Sequence, residues 1–109
     1  MEFNRYQELA RRTQKKDLTP RDLIEHASWG LASETGEVLG LLQKTHQGHV
    51  LDENEVFKEL GDVLWFISEV CDYFNVSLDY IAQNNIAKLL DRYPDEEGFS
   101  EERSIHRKV

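Results

Sequence analysis

The chain has 109 residues, with 39% hydrophobic and 10% aromatic residues, and 13 Lys+Arg against 21 Asp+Glu give a formal net charge of −8. That size and composition suit one folded domain, and they exclude a disordered chain. The acidic balance excludes broad binding to nucleic-acid phosphates, and no apolar run approaches the ~18 residues of a membrane-spanning helix. One cysteine, Cys71, forms neither an internal disulfide nor a zinc ligand set. The opening Met1-Glu2-Phe3-Asn4-Arg5 lacks the apolar core of a signal peptide. The expectation is a cytoplasmic, single-domain protein without nucleic-acid or membrane partners.

Only two prolines occur, Pro20 and Pro94, and apolar residues between them recur at three and four, the helical period. A first helix is expected over about residues 2–16, with Phe3, Tyr6, Leu9 and Ala10 on one face. Thr19 as N-cap, Pro20 at the first helical position and Asp22 in the first turn open the second. It carries Leu23, Ile24, Ala27, Leu31, Val38, Leu41 and Leu42, and stops near His46 before Gly48.

Asp52 caps the third, which carries Val56, Leu60, Val63, Leu64, Ile67, Val70 and Phe74, with Cys71 as a small core residue. Ser77 caps the fourth, whose stripe is Leu78, Ile81, Ala82, Ile86, Leu89 and Leu90, ending at Arg92-Tyr93-Pro94. Residues 95–109 form a polar C-terminal tail beyond a core of about 21–94. The expected fold is all-α, a four-helix bundle-like domain. Two helices of about 25 and 22 residues would run ~38 and ~33 Å. Their apolar faces exceed what two short partners cover, so a homo-oligomer, dimer or tetramer, should complete the core.

The second and third helices share a six-residue pattern. Glu34-Thr35-Gly36-Glu37-Val38-Leu39 is echoed by Glu59-Leu60-Gly61-Asp62-Val63-Leu64. Positions i and i+3 share a helix face, so Glu34 with Glu37, and Glu59 with Asp62, lie on or beside core-facing stripes. Carboxylates there must be paired, hydrogen-bonded or metal-bound. No Lys or Arg lies within four residues on the same stripe. A hard divalent cation resolves the conflict, because Mg²⁺ takes oxygen ligands. Gly36 and Gly61 cost roughly 1 kcal/mol each in a helix interior, which fits a close approach of two helices or of a helix and a ligand. A di-iron carboxylate bundle is disfavoured: none of His26, His46, His49 or His106 has a glutamate three residues before it.

Glu34-x-x-Glu37 followed at 22 residues by Glu59-x-x-Asp62, with Asn85-x-x-Lys88 and Arg92-Tyr93-Pro94 behind, resembles the MazG-like all-α nucleoside triphosphate pyrophosphohydrolases over about residues 21–100. The resemblance implies Mg²⁺-dependent (Mn²⁺ as alternative) hydrolysis of a (deoxy)nucleoside triphosphate to monophosphate and pyrophosphate, for house-cleaning or nucleotide-pool control. It implies metal ligation and catalysis by Glu34, Glu37, Glu59 and Asp62, with Glu37 favoured to orient the attacking water. It places Asn85, Lys88, Arg92 and Tyr93 at the substrate, Lys88 and Arg92 being the best phosphate contacts on an acidic protein. It also implies dimers or dimers of dimers with sites where subunits meet. Thr35 departs from the Ala or Glu of many relatives, which removes a ligand role there.

Trp29 and Trp65 are expected at core or interface rather than on a base, His26 in helix packing or at the surface, and Lys44 solvated near a helix end. Two further functional classes fit the same chain: a catalytically silent helical dimerisation module, and a nucleotide or metal sensor.

Overall fold

The computed structural model describes residues 1–94 and Glu101, so the predicted tail falls, but for Glu101, outside the described residues. Four helices follow in order: α1 (Phe3–Arg11), α2 (Pro20–His46), α3 (Glu53–Tyr73) and α4 (Leu78–Arg92). No strand occurs among the described residues, and the domain is all-α.

The expected caps close the helices. Thr19 Oγ1 accepts from Asp22 N (3.1 Å), Asp52 Oδ1 from Asn54 N (3.0 Å) and Ser77 Oγ from Tyr80 N (3.0 Å). These side chains satisfy amides that have no partner inside the helix. α2 ends in a Schellman turn, with His49 N donating to Lys44 O, Gly48 N to Thr45 O, and Gly48 at φ 89°. Asn75, at φ 56°, ends α3 the same way, with Val76 N donating to Cys71 O.

α1 is shorter than the pattern suggests and stops at Arg11, not near residue 16. The hydroxyl and amide of Thr13 both donate to Ala10 O, at 2.7 and 2.9 Å, and Gln14 N turns back to Arg11 O. Residues 11–17 hold no apolar side chain whose burial would reward another turn.

α2 and α3 form an antiparallel hairpin, and their pairings descend in register. His26 meets Glu69, Gly30 lies under Phe66, and Glu34 faces Glu59 and Asp62. A Cβ on Gly30 would collide with the Phe66 ring, so the close helix approach lies there. Gly36 and Gly61 do not serve it within this chain, since a Cβ at either would meet nothing within 4 Å. Gly30→Ala should therefore lower stability by roughly 1–3 kcal/mol through overpacking. Gly36→Ala should be neutral or gain up to about 1 kcal/mol of helix propensity. Urea unfolding of the two variants checks the opposite signs.

α1 lies across α3 and α4 and is tied there by polar groups. The buried Gln7 side chain accepts from Leu78 N (2.7 Å) and donates to Val76 O (3.0 Å) and Asp72 Oδ1 (2.9 Å). Arg11 and Gln14 donate to the same carboxylate, and Trp65 Nε1 donates to Thr13 Oγ1 (2.8 Å). Ala10, Ala27, Cys71 and Leu78 are buried apolar residues, and Ser68 and Glu69 are wholly enclosed beside them.

Part of each expected apolar stripe is uncovered in the single chain. Leu42, Leu60 and Phe74 are open to solvent, as are Ile81, Ile86, Leu89 and Leu90 of α4. Phe74 has no helix left to hold it inward, because it is the C-cap of α3. α4 packs on α1 and touches α2 and α3 little. Its outer stripe, with Ile86 and Leu90, lines an open apolar groove of about 360 Å³.

Candidate metal centre

Glu34 from α2 and Glu59 and Asp62 from α3 each bring one carboxylate oxygen to a site where all lie within 4.8 Å of one another. The i,i+3 spacing stacks Glu59 over Asp62 on one face of α3, and the hairpin register carries Glu34 opposite them. Glu34 and Glu59 are half-buried, while Asp62 is exposed. Glu34 Oε2 is buried without a hydrogen-bond partner.

The electrostatics of the trio are unfavourable as they stand. Glu59 is held above the usual carboxylate range, first by its hydrogen bond to Glu34, then by desolvation, then by the charges of Glu34, Asp62 and Glu55. Lys58, the neighbouring cation, pairs with Glu55 at 3.3 Å instead. Among the described residues no Lys or Arg forms an ion pair with Glu34, Glu59 or Asp62. An orphaned buried oxygen, a carboxyl pushed above its usual range by its acidic neighbours, and an all-oxygen donor set fit a hard divalent cation.

That crowding has a sign in pH. The folded Glu59 binds its proton more tightly than the unfolded chain, whose glutamates titrate at about 4.5. The resulting stabilisation is complete below that value and is lost as pH rises through the raised folded value. In EDTA, the melting temperature of the wild type should fall relative to Glu59→Gln as pH rises above about 4.5. Thermal melts across a pH series check it.

The other expected residues stand apart from the trio. Glu37, one turn beyond Glu34, is exposed and outside the cluster. Asn85 and Lys88 are exposed on α4, and Arg92 and Tyr93 are half-buried at its end. No hydrogen bond or ion pair joins Asn85, Lys88 or Arg92 to the three acids, which matches the sparse contact of α4 with α2 and α3. Thr35 Oγ1 donates to Leu31 O (2.7 Å), so its hydroxyl is spent on the helix backbone. Lys44 is exposed in the last turn of α2, and Trp29 is exposed on the same helix.

Two features escaped the sequence pattern. Tyr6 lies near enough to Asp62 that its phenol is pushed up, by burial first and by the Asp62 charge second. His26 Nδ1 donates to the wholly buried Glu69 Oε1 at 2.6 Å. One signal for the second was present: Glu69 follows Asp62 by seven residues, two turns along the same stripe.

The "Gene 37 protein" of Mycobacterium phage L5 is 30% identical to this chain over 74 residues, covering 63% of this chain and 65% of that protein. The chain thus spans a little under two thirds of that relative. No solved structure matches. Residues 23–96 match the family described as the MazG nucleotide pyrophosphohydrolase domain. That span takes in nearly all of α2 and the whole of α3 and α4, with every acid of the echoed motif and all of Asn85, Lys88, Arg92 and Tyr93. Since the match covers well over half of the residues and includes the acidic hairpin, this chain belongs to the MazG nucleotide pyrophosphohydrolase domain family.

Proposed function

We propose that this protein hydrolyses a (deoxy)nucleoside triphosphate to the monophosphate and pyrophosphate, in cytoplasmic house-cleaning or nucleotide-pool control. The observation that carries this proposal is the trio of crowded carboxylates, one oxygen of which is buried and unpartnered. Glu34, Glu59 and Asp62 would hold Mg²⁺ or Mn²⁺. When bound, the cation supplies charge stabilisation to the phosphate oxygens and acidity to a water.

The chain's residues do the rest. Glu37 stands free one turn beyond Glu34, where its carboxylate orients the attacking water and accepts its proton. Lys88 and Arg92 bind phosphate, with Asn85 and Tyr93 beside them. Lys88 has no ion-pair partner among the described residues, which keeps its charge available.

Assembly belongs to the same proposal. The uncovered α4 stripe, and Leu39, Leu42, Phe57 and Leu60 near the acids, favour a dimer or tetramer of this chain. In it, the α4 of one copy supplies Asn85 and Lys88 to the acids of another. No helix among the described residues is long and apolar enough to cross a membrane.

The test is a panel of ribo- and deoxynucleoside triphosphates incubated with Mg²⁺, with products separated. Monophosphate plus pyrophosphate supports the proposal. Diphosphate plus phosphate, or no turnover at all, rejects it. Light scattering that finds only the 12.8 kDa monomer at micromolar concentration rejects the assembly.

A further inference from the structure

The His26–Glu69 pair lies outside the proposed chemistry and is built with unusual care. Glu69 is wholly buried, its Oε1 accepting from His26 Nδ1 at 2.6 Å and its Oε2 without a partner. The imidazole is fixed by two rings of α3, edge-on to Trp65 with centroids 6.2 Å apart and tilted on Phe66 at 5.5 Å. Trp65 and Phe66 meet each other edge to face at 5.0 Å. Apart from the Glu34–Glu59 contact, this is the one side-chain hydrogen bond joining α2 to α3 among the described residues.

A buried carboxylate is a poor way to gain stability, because apolar residues of similar volume do as well or better. Its best-attested use is to fix register, since any slip leaves the charge buried and unpaired. Register matters on this hairpin. His26–Glu69, Gly30–Phe66 and the acidic trio form successive levels about one turn apart. The seat of Phe66 on Gly30 gives one steric mark of register, and the His26–Glu69 bond adds a polar one a turn away. A one-turn slip displaces Glu34 by about 5.4 Å, more than the 4.8 Å within which the three oxygens gather.

We infer that His26 and Glu69 are positioning residues, a latch that sets the α2–α3 register and so the spacing of Glu34 from Glu59 and Asp62. This rests on taking those three acids as a cation site. The latch acts two turns away and touches neither cation nor substrate.

The experiment uses Mn²⁺ alone as probe. Calorimetric affinity is measured for the wild type, Glu69→Met, the double variant His26→Leu/Glu69→Met, and His26→Gln. Each is measured at a temperature where circular dichroism shows it folded. Glu69→Met removes the buried charge and frees a half-exposed His26, so its melting temperature should hold while the Mn²⁺ Kd rises roughly fivefold. The double variant gives the same result should Glu69→Met alone not fold. His26→Gln, which keeps a donor for Glu69, should stay near the wild type.

Either unlatched variant binding Mn²⁺ as tightly as the wild type overturns the latch and leaves the acid site standing. His26→Gln weakening as much as they do also overturns it. Absence of Mn²⁺ binding by the wild type itself removes the acid site, and the latch with it.

Discussion

Replacing Glu34 by glutamine is expected to lower turnover of the preferred triphosphate by roughly 10²–10³-fold, the scale of losing one electrostatic contact to a transition state, with the fold intact. Glu34 has the buried, unpartnered oxygen of the trio and is the first cause of the high proton affinity of Glu59. The amide keeps the shape and removes the charge, so cation affinity should fall. Relief of repulsion should hold or raise the melting temperature in EDTA. Mg²⁺ should stabilise the wild type by mass action, about 2.7 kcal/mol at a hundred times the Kd, and leave the variant nearly unmoved.

Lys88→Ala provides the contrast. Its stabilisation by Mg²⁺ should survive while KM rises and kcat/KM falls. Steady-state kinetics with melts in EDTA and Mg²⁺ read both. Near-normal turnover by Glu34→Gln removes the trio from the mechanism, and unchanged kinetics in Lys88→Ala moves the phosphates off α4.

The largest stability loss should come from Asp72→Ala. This carboxylate is nearly buried and accepts from Gln7, Arg11 and Gln14, the last at 2.6 Å. Its hydrogen bond to Arg11 is also the leading reason that guanidinium holds its proton more firmly than usual. Truncation removes the acceptor of one N–H of the buried Gln7 amide and of the Gln14 and Arg11 donors, at a combined cost of about 3 kcal/mol. For a domain of this size that is a fall of order 15 °C in melting temperature. Asp72→Asn, which keeps one acceptor, should lose less. A loss below about 1 kcal/mol in urea unfolding would mean that α1 is held by other contacts.

The helices and their caps were legible because they are local. Thr19, Asp52 and Ser77 each sit directly before a helical run, and each cap appears as expected. The helical period likewise put Glu34, Glu37, Glu59 and Asp62 on or beside core-facing stripes, and it could not tell the half-buried Glu34 and Glu59 from the exposed Glu37 and Asp62. What was hidden depends on contacts distant in sequence. Gln7 looks like a polar residue on a short helix, and only the α3–α4 turn makes it a buried one. Glu69 shares the stripe of Asp62 in the sequence, but only the packing of α2 brings His26 to it. The early stop of α1 was set by Thr13 bonding back to Ala10, a competition that hydrophobic period does not report. The α4 stripe was legible as apolar, but periodicity identifies a face and is silent on its partner.

The solitary thiol at Cys71 makes this protein its own clock. It sits one residue before the carboxylate that α1 grips, and its thiolate is scarce, first because burial disfavours the charge and second because Asp72 is adjacent. With no other sulfhydryl in the 109 residues, reaction with a chromogenic disulfide reagent reports a single site. Its time course counts the openings of the fold that expose this buried thiol, with no tag, dye or isotope introduced.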